Sequence, residues 1–216
     1  MTTRREQTVA TIAEQRVSAI IRAGEADLAA GAMNAAVEGG FQVVEFTLTT
    51  PSALELITEF AGRSGLTVGA GTVLTVEDAR AAVEAGARFL VSPVCDPVVI
   101  EEAARLDAAC IPGTFTATEM WTAHRAGADF VKLFPAPADV ASYVAAILGP
   151  LPMLKVFPTN GVTADNMAEV LDAGAAGVGF VKPLFDPAAM AARDFAAIRA
   201  RAEGIHRRLA EWRGSP

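Results

Sequence analysis

Short apolar runs alternate with longer alanine-rich stretches along the whole chain. The runs "RVSAII", "QVVEF", "TVGAG", "RFLVS", "AACIP", "DFVKLF", "MLKVF" and "AGVGF" are strand-sized and rich in Val, Ile and Phe. The stretches between them have helical length and include no long polar linker, so the sequence reads as successive βα units behind an N-terminal helical segment. Eight such strands predict a single-domain (β/α)8 TIM barrel over residues 1–216. An open doubly wound sheet is the alternative.

A repeat sharpens the pattern. "EGGFQVVEF", "EAGARFLVS", "RAGADFVKL" and "DAGAAGVGF" each end a helix in glycine, which suits a left-handed C-terminal cap, and then begin a strand. These are the second, fourth, sixth and eighth strands. Aligning Gly40, Gly86, Gly127 and Gly174 places Glu45, Val91, Lys132 and Gly179 five residues further on in each unit. Each interior layer of such a barrel takes its side chains from alternate strands. The spacing therefore predicts that Glu45 and Lys132 share one interior level, with room left by Val91 and Gly179.

That level is where the chemistry concentrates. Desolvation penalises a buried ammonium and lowers its pKa, which raises the fraction of free amine near neutrality. A free amine in a pocket attacks ketones to give a Schiff base, and a nearby carboxylate moves protons directly or through one water. The competing reading is a structural Lys132–Glu45 ion pair. "LKVFPT" echoes "FVKLFP", but its Lys155 lies on the odd seventh strand and four residues deeper than Thr159. It is expected to pair at the barrel floor or to snorkel outward. Lys182, after the eighth strand, is placed to meet an anion at the mouth. The chain has three lysines against fifteen arginines, and all three fall in or beside strands six to eight.

Composition narrows the partners. A formal net charge of −7, without a basic cluster, argues against nucleic acid and anionic membrane surfaces. The N-terminus has no apolar signal core and no stretch reaches the roughly 18 apolar residues of a membrane span, so a cytoplasmic location is expected. Cys95, Cys110, His124 and His206 form no ligand-like cluster, and no metal or organic cofactor is expected.

The remaining motifs sit at predicted strand ends. "VGAGTVLT" (68–75) lacks the spacing of a dinucleotide fingerprint, but its backbone amides and Thr72 suit a carboxylate, with an ordinary tight turn as the alternative. In the seventh loop, Asn160 and Gly161 precede Thr163, read as a helix N-cap where a phosphate would meet a helix N-terminus.

The ordered set "VVEFTL", "VGAGTVL", "VSP", "IPGTFTATE", "FVKLFPA" and "FPTNGV", spread between about Ile20 and Phe185, resembles the 2-keto-3-deoxy-6-phosphogluconate / 4-hydroxy-2-oxoglutarate (KDPG/KHG) aldolase family. The resemblance implies a class I aldolase on a (β/α)8 barrel, in which Lys132 forms the Schiff base and Glu45 is the general acid/base. It implies a substrate site lined by Arg22, Thr72, Pro93, Phe134 and Thr159, with Thr72 near the pyruvyl carboxylate, and assembly as a homotrimer. Three positions depart from the family pattern. Many gluconate-type members have arginine where Thr49 stands here, a Gly-Gly pair in place of Asn160-Gly161, and a Gly-Ser pair in place of Phe180-Val181. The reaction expected is cleavage of a small-molecule 2-keto-3-deoxy (phospho)sugar acid, or of 4-hydroxy-2-oxoglutarate, to pyruvate plus glyceraldehyde 3-phosphate or glyoxylate. A phosphate-barrel isomerase or epimerase without a covalent intermediate, and a non-catalytic binding barrel, stay open beside it.

Overall fold

A computed structural model describes residues 2–214. Helix α1 (Arg4–Gln15) starts at a capping box in which Thr3 and Glu6 satisfy each other's backbone N–H groups. Strands and helices then alternate: β1 (Val17–Ile21), α2 (Ala26–Glu38), β2 (Val43–Thr47), α3 (Ala53–Ala61), β3 (Thr67–Gly71), α4 (Val76–Glu84), β4 (Phe89–Val91) and α5 (Pro97–Arg105). The second half runs β5 (Ala109–Ile111), β6 (Gly113–Thr114), α6 (Ala117–Arg125), β7 (Val131–Leu133), α7 (Val140–Leu148), β8 (Val156–Pro158), α8 (Met167–Asp172), β9 (Val178–Phe180), α9 (Pro187–Ala191) and α10 (Phe195–Arg213).

All pairings are parallel, in the orders β5-β4-β3-β2-β1-β9 and β6-β7-β8. The expected fifth strand is split rather than continuous, because Pro112 has no N–H for the ladder. Its carbonyl still accepts from Lys132 N at 2.9 Å, and Ala176 N reaches Val156 O at 2.8 Å on the other side. The two sheets thus close into eight staves, β5 and β6 forming one of them. The repeat glycines Gly40, Gly86, Gly127 and Gly174 have φ of 111°, 108°, 97° and 99°. At each, the glycine N–H and that of the next residue fold back onto carbonyls of the preceding helix, a left-handed stop that only glycine enters without strain.

The core has two compartments. Outward strand residues such as Ala19, Val44, Phe46 and Leu90 pack under the helices. The barrel interior is filled by Val43, Phe89, Val91, Ala109, Ile111, Phe130 and Phe157, with Ile12 of α1 packed against them. Register supports the shared level. Glu45 pairs with Gly69 and Gly69 with Phe89, two residues below Val91. Val91 pairs with Ile111, and Gly113, two residues on, pairs with Lys132. This climb of one residue per strand is what tilted barrel strands produce at constant height.

Candidate active site

Above the packed interior, at the C-terminal ends of the strands, lies a cavity of about 580 Å³ lined by Glu45, Lys132 and Gly179. Glu45 is inward on β2 and only 2% exposed. Its carboxylate fits because β3 carries glycine opposite: a Cβ on Gly71 would collide with Glu45 Oε1. Lys132 is inward on β7 and half-buried, its Nζ 4.9 Å from the Phe134 ring centroid. No nitrogen–oxygen approach within 4.0 Å joins Lys132 to Glu45, so the pair faces across a gap instead of forming the direct structural bridge.

Burial shapes both groups. It pushes the Glu45 carboxyl above its ordinary value, outweighing the opposing pull of the Lys132 and Arg22 charges. Lys132 is held below the usual lysine value, chiefly by burial and further by Arg22, with Glu45 opposing. Burial thus shifts each group toward its neutral form. Three basic side chains, Arg22, Lys132 and Lys182, line the cavity against the single carboxylate of Glu45, in a chain of net charge −7. The local surplus of positive charge suits an anionic ligand.

Most of the residues singled out in the sequence meet here. Arg22, Thr72, Pro93, Phe134 and Thr159 line the cavity, as do Asn160, Gly161 and Lys182. Arg22 Nη2 donates to Thr72 Oγ1 at 3.1 Å. Thr72 holds φ of 61°, a left-handed conformation unfavourable for a β-branched residue and of the kind that clusters at ligand clamps. Thr159 Oγ1 is buried without a hydrogen-bond partner, in a residue that stands between the cavity and the packed interior below it.

Other positions differ from expectation. Thr49 is exposed and outside the cavity lining, its hydroxyl 3.1 Å from that of Thr47, which does line it. Thr163 caps the turn that leads into α8 and not the regular helix itself, which begins at Met167: its hydroxyl accepts from Asp165 N and Asn166 N at 3.3 and 3.4 Å, and its N–H donates to Asn166 Oδ1 at 2.7 Å. Lys155 is exposed at the opposite end of β8, beside Arg5, His124 and Asp129, its Nζ 5.5 Å from the Phe130 ring centroid. Of the two placements expected for it, it snorkels. Thr47 was discoverable by parity, two residues beyond Glu45. Leu28, Phe185 and Met190 also line the cavity but come from helices and loops, where strand alternation carries no signal.

Among the described residues no group of three or more His, Cys, Asp or Glu side chains gathers as a metal-ligand set. His124 stacks on Trp121, and His206 lies against Phe41 with its imidazole pKa lowered, first by burial and then by Arg213.

Comparison with known proteins agrees with this geometry. Residues 9–201 match the family described as Aldolase: KDPG and KHG aldolase. The 2-dehydro-3-deoxy-6-phosphogalactonate aldolase of Escherichia coli (strain K12) is 36% identical over 171 residues, covering 77% of this chain and 83% of that protein. A native KDPGal structure superposes with a TM-score of 0.83 at 31% identity, covering 92% of this chain and 96% of the other. The KDPG aldolase of Legionella pneumophila, solved with pyruvate captured at low pH as a covalent carbinolamine intermediate, gives 0.80 at 27% identity, with 92% and 98% covered. On this span of matched sequence and structure, the chain belongs to the KDPG and KHG aldolase family and is a class I aldolase, a carbon–carbon lyase.

Proposed function

We propose that Lys132 is the Schiff-base nucleophile and Glu45 the proton carrier of an aldolase that cleaves a 2-keto-4-hydroxy acid of the sugar-acid kind to pyruvate and an aldehyde. The carrying observation is the half-buried, pKa-lowered Lys132 facing the buried Glu45 across a gap in one cavity. A structural ion pair has no use for that gap; a water relay does.

The free Lys132 amine adds to the C2 ketone, and loss of water from the carbinolamine leaves a protonated imine. The imine draws the C3–C4 bonding pair into an enamine as that bond breaks. Glu45, through a water, takes the C4 hydroxyl proton, the C4 carbon leaves as an aldehyde, and the proton returns to the enamine at C3. Hydrolysis frees pyruvate and restores the lysine. Arg22 and Thr72, already hydrogen-bonded, hold the substrate carboxylate, and the unpartnered Thr159 hydroxyl contacts a substrate hydroxyl. The covalent route is preferred over isomerase chemistry because the similar Legionella enzyme holds pyruvate covalently.

A homotrimer and a cytoplasmic location belong to the same proposal. Val94, Val98, Phe115 and Trp121, all exposed and apolar on neighbouring βα units, supply a face for subunit contact. Both cysteines are free thiols, as in a reducing compartment, and among the described residues no helix is long and apolar enough to cross a membrane. Pyruvate release from 2-keto-3-deoxy-6-phosphogalactonate, from its gluconate epimer, from their unphosphorylated forms and from 4-hydroxy-2-oxoglutarate tests the activity. Release from at least one of them, abolished in Lys132→Met, is the expected result; release that survives the substitution rejects the assignment.

A further inference from the structure

We infer that the aldehyde half of the substrate is unphosphorylated and presents a neutral, partly apolar tail to this site. The inference rests on the aldolase reading above and concerns only the part of the cavity beyond the reacting carbons.

Three observations converge. First, the mouth formed by the start of α2, the segment after β9 and helix α9 is walled by Ile20, Leu28, Val181, Phe185 and Met190. These are apolar side chains, four of them hydrocarbon and one a thioether, and a phosphate against them would lose hydration without recovering hydrogen bonds.

Second, several backbone amides in the loops after β8 and β9 already have acceptors. Gly161 N donates to Asn160 Oδ1 at 3.0 Å and Thr163 N to Asn166 Oδ1 at 2.7 Å. Leu184 N and Phe185 N both donate to Val181 O, at 3.2 and 2.8 Å, and residue 183 is proline and has no N–H. Phosphate recognition in barrels of this kind depends on such loop amides and on a helix N-terminus.

Third, acids stand at both helix starts of the mouth, and at α9 one of them takes the first amides. Asp186 Oδ1 accepts from both Ala188 N and Ala189 N, at 3.1 Å each, at the start of α9. At α2 the cap residue Glu25 makes no hydrogen bond to the first-turn amides, but Glu25 and Asp27 set two carboxylates where a phosphate would approach. Nearby arginines are spoken for: Arg193 pairs with Glu25, and Arg201 with Asp186. Lys182 is left as an exposed cation at the rim, and one solvated lysine contributes little binding energy by itself. Arg22 donates to Thr72, on the side of the cavity assigned above to the keto-acid carboxylate.

The test runs the reaction in the addition direction, with pyruvate as donor and three acceptors: D-glyceraldehyde 3-phosphate, D-glyceraldehyde and 2-methylpropanal. The expected kcat/KM for glyceraldehyde is at least tenfold above that for its 3-phosphate, with 2-methylpropanal equal to or above glyceraldehyde. A preference for the 3-phosphate, or 2-methylpropanal slower than glyceraldehyde, overturns the inference. Met190→Gln adds a second reading: KM for 2-methylpropanal should rise several-fold with little change for the 3-phosphate, and equal effects on both count against the wall. Borohydride trapping of pyruvate on the wild-type protein, with no aldehyde present, reports Schiff-base formation separately. An adduct on Lys132 with phosphate preference sinks this inference alone, whereas no adduct sinks the aldolase reading beneath it.

Discussion

Burial acts on Lys132 and Glu45 by the same physics and with complementary chemical results: each is pushed toward its neutral form, one an amine and the other an acid. Cleavage needs the neutral amine and the ionised carboxylate. Activity therefore rises with pH through the raised value of Glu45, above 4.5, and through the lowered value of Lys132, below 10.5. The pH profile of kcat/KM should show this rising limb, and Glu45→Gln should remove its carboxylate ionisation while lowering kcat by about 10²–10⁴-fold. The same shift has a stability consequence. Because the folded-state value of Glu45 is raised, the native protein holds more protons than the unfolded chain between 4.5 and the folded value. Its contribution to stability is present below 4.5 and is lost as pH rises through that window. Thermal unfolding across pH should show Glu45→Gln losing this decline; an identical slope in both proteins contradicts the burial account. Both residues are legible in sequence, because a lysine within an apolar run and a glutamate in another can be phased by the glycines before them. Thr49 shows the limit: family correspondence points to it, but its side chain faces solvent at a turn whose geometry no periodicity encodes.

At the scale of elements, the repeat that fixed the phase is a physical device. Four left-handed glycines stop four helices at the same point, so each following strand enters the barrel with the same parity. Strand β3 then makes room for the acid by carrying glycine at 71, where a Cβ would collide with Glu45 Oε1. Gly71→Ala should displace the Glu45 carboxylate and reduce kcat by about 10²-fold, the scale of a misplaced catalytic group, while the pyruvate adduct still forms. Unchanged kcat would show that Glu45 has other room. At the opposite end, α1 contributes Ile12, 1% exposed, to the interior cluster. Ile12→Ala should cost about 2–5 kcal/mol in denaturant unfolding and leave KM unaltered, since the cavity mouth is at the far end. The strands were readable from apolar runs of five or six residues, but the break at Pro112 and the delayed start of α8 were not. Both follow from local hydrogen bonding: a missing N–H in one case, and an Asn166 turn that postpones the helix in the other.

For the whole molecule, closure of the eight staves brings residues from β1, β2, β7 and β9, and from just past the ends of β3 and β8, around one cavity, although Arg22 and Thr159 are far apart in sequence. The fold and the meeting of Glu45 with Lys132 in one cavity were legible because they depend on repeat phase. The cavity's apolar wall was not, because it depends on how loops and α9 fold over the mouth. The exposed apolar side chains of Val94, Val98, Phe115 and Trp121 predict self-association. Light scattering behind size exclusion should give three times the 22.4 kDa chain mass, and a monomer would refute the trimer. The central claim concerns a single bond, between Lys132 Nζ and C2 of pyruvate. Incubating the protein with pyruvate and borohydride, then mapping the modified peptide by mass spectrometry, tests it directly. The account predicts a reduced pyruvyl adduct on Lys132 and none on Lys155 or Lys182. No pyruvate-dependent adduct, or one on Lys155, would contradict it.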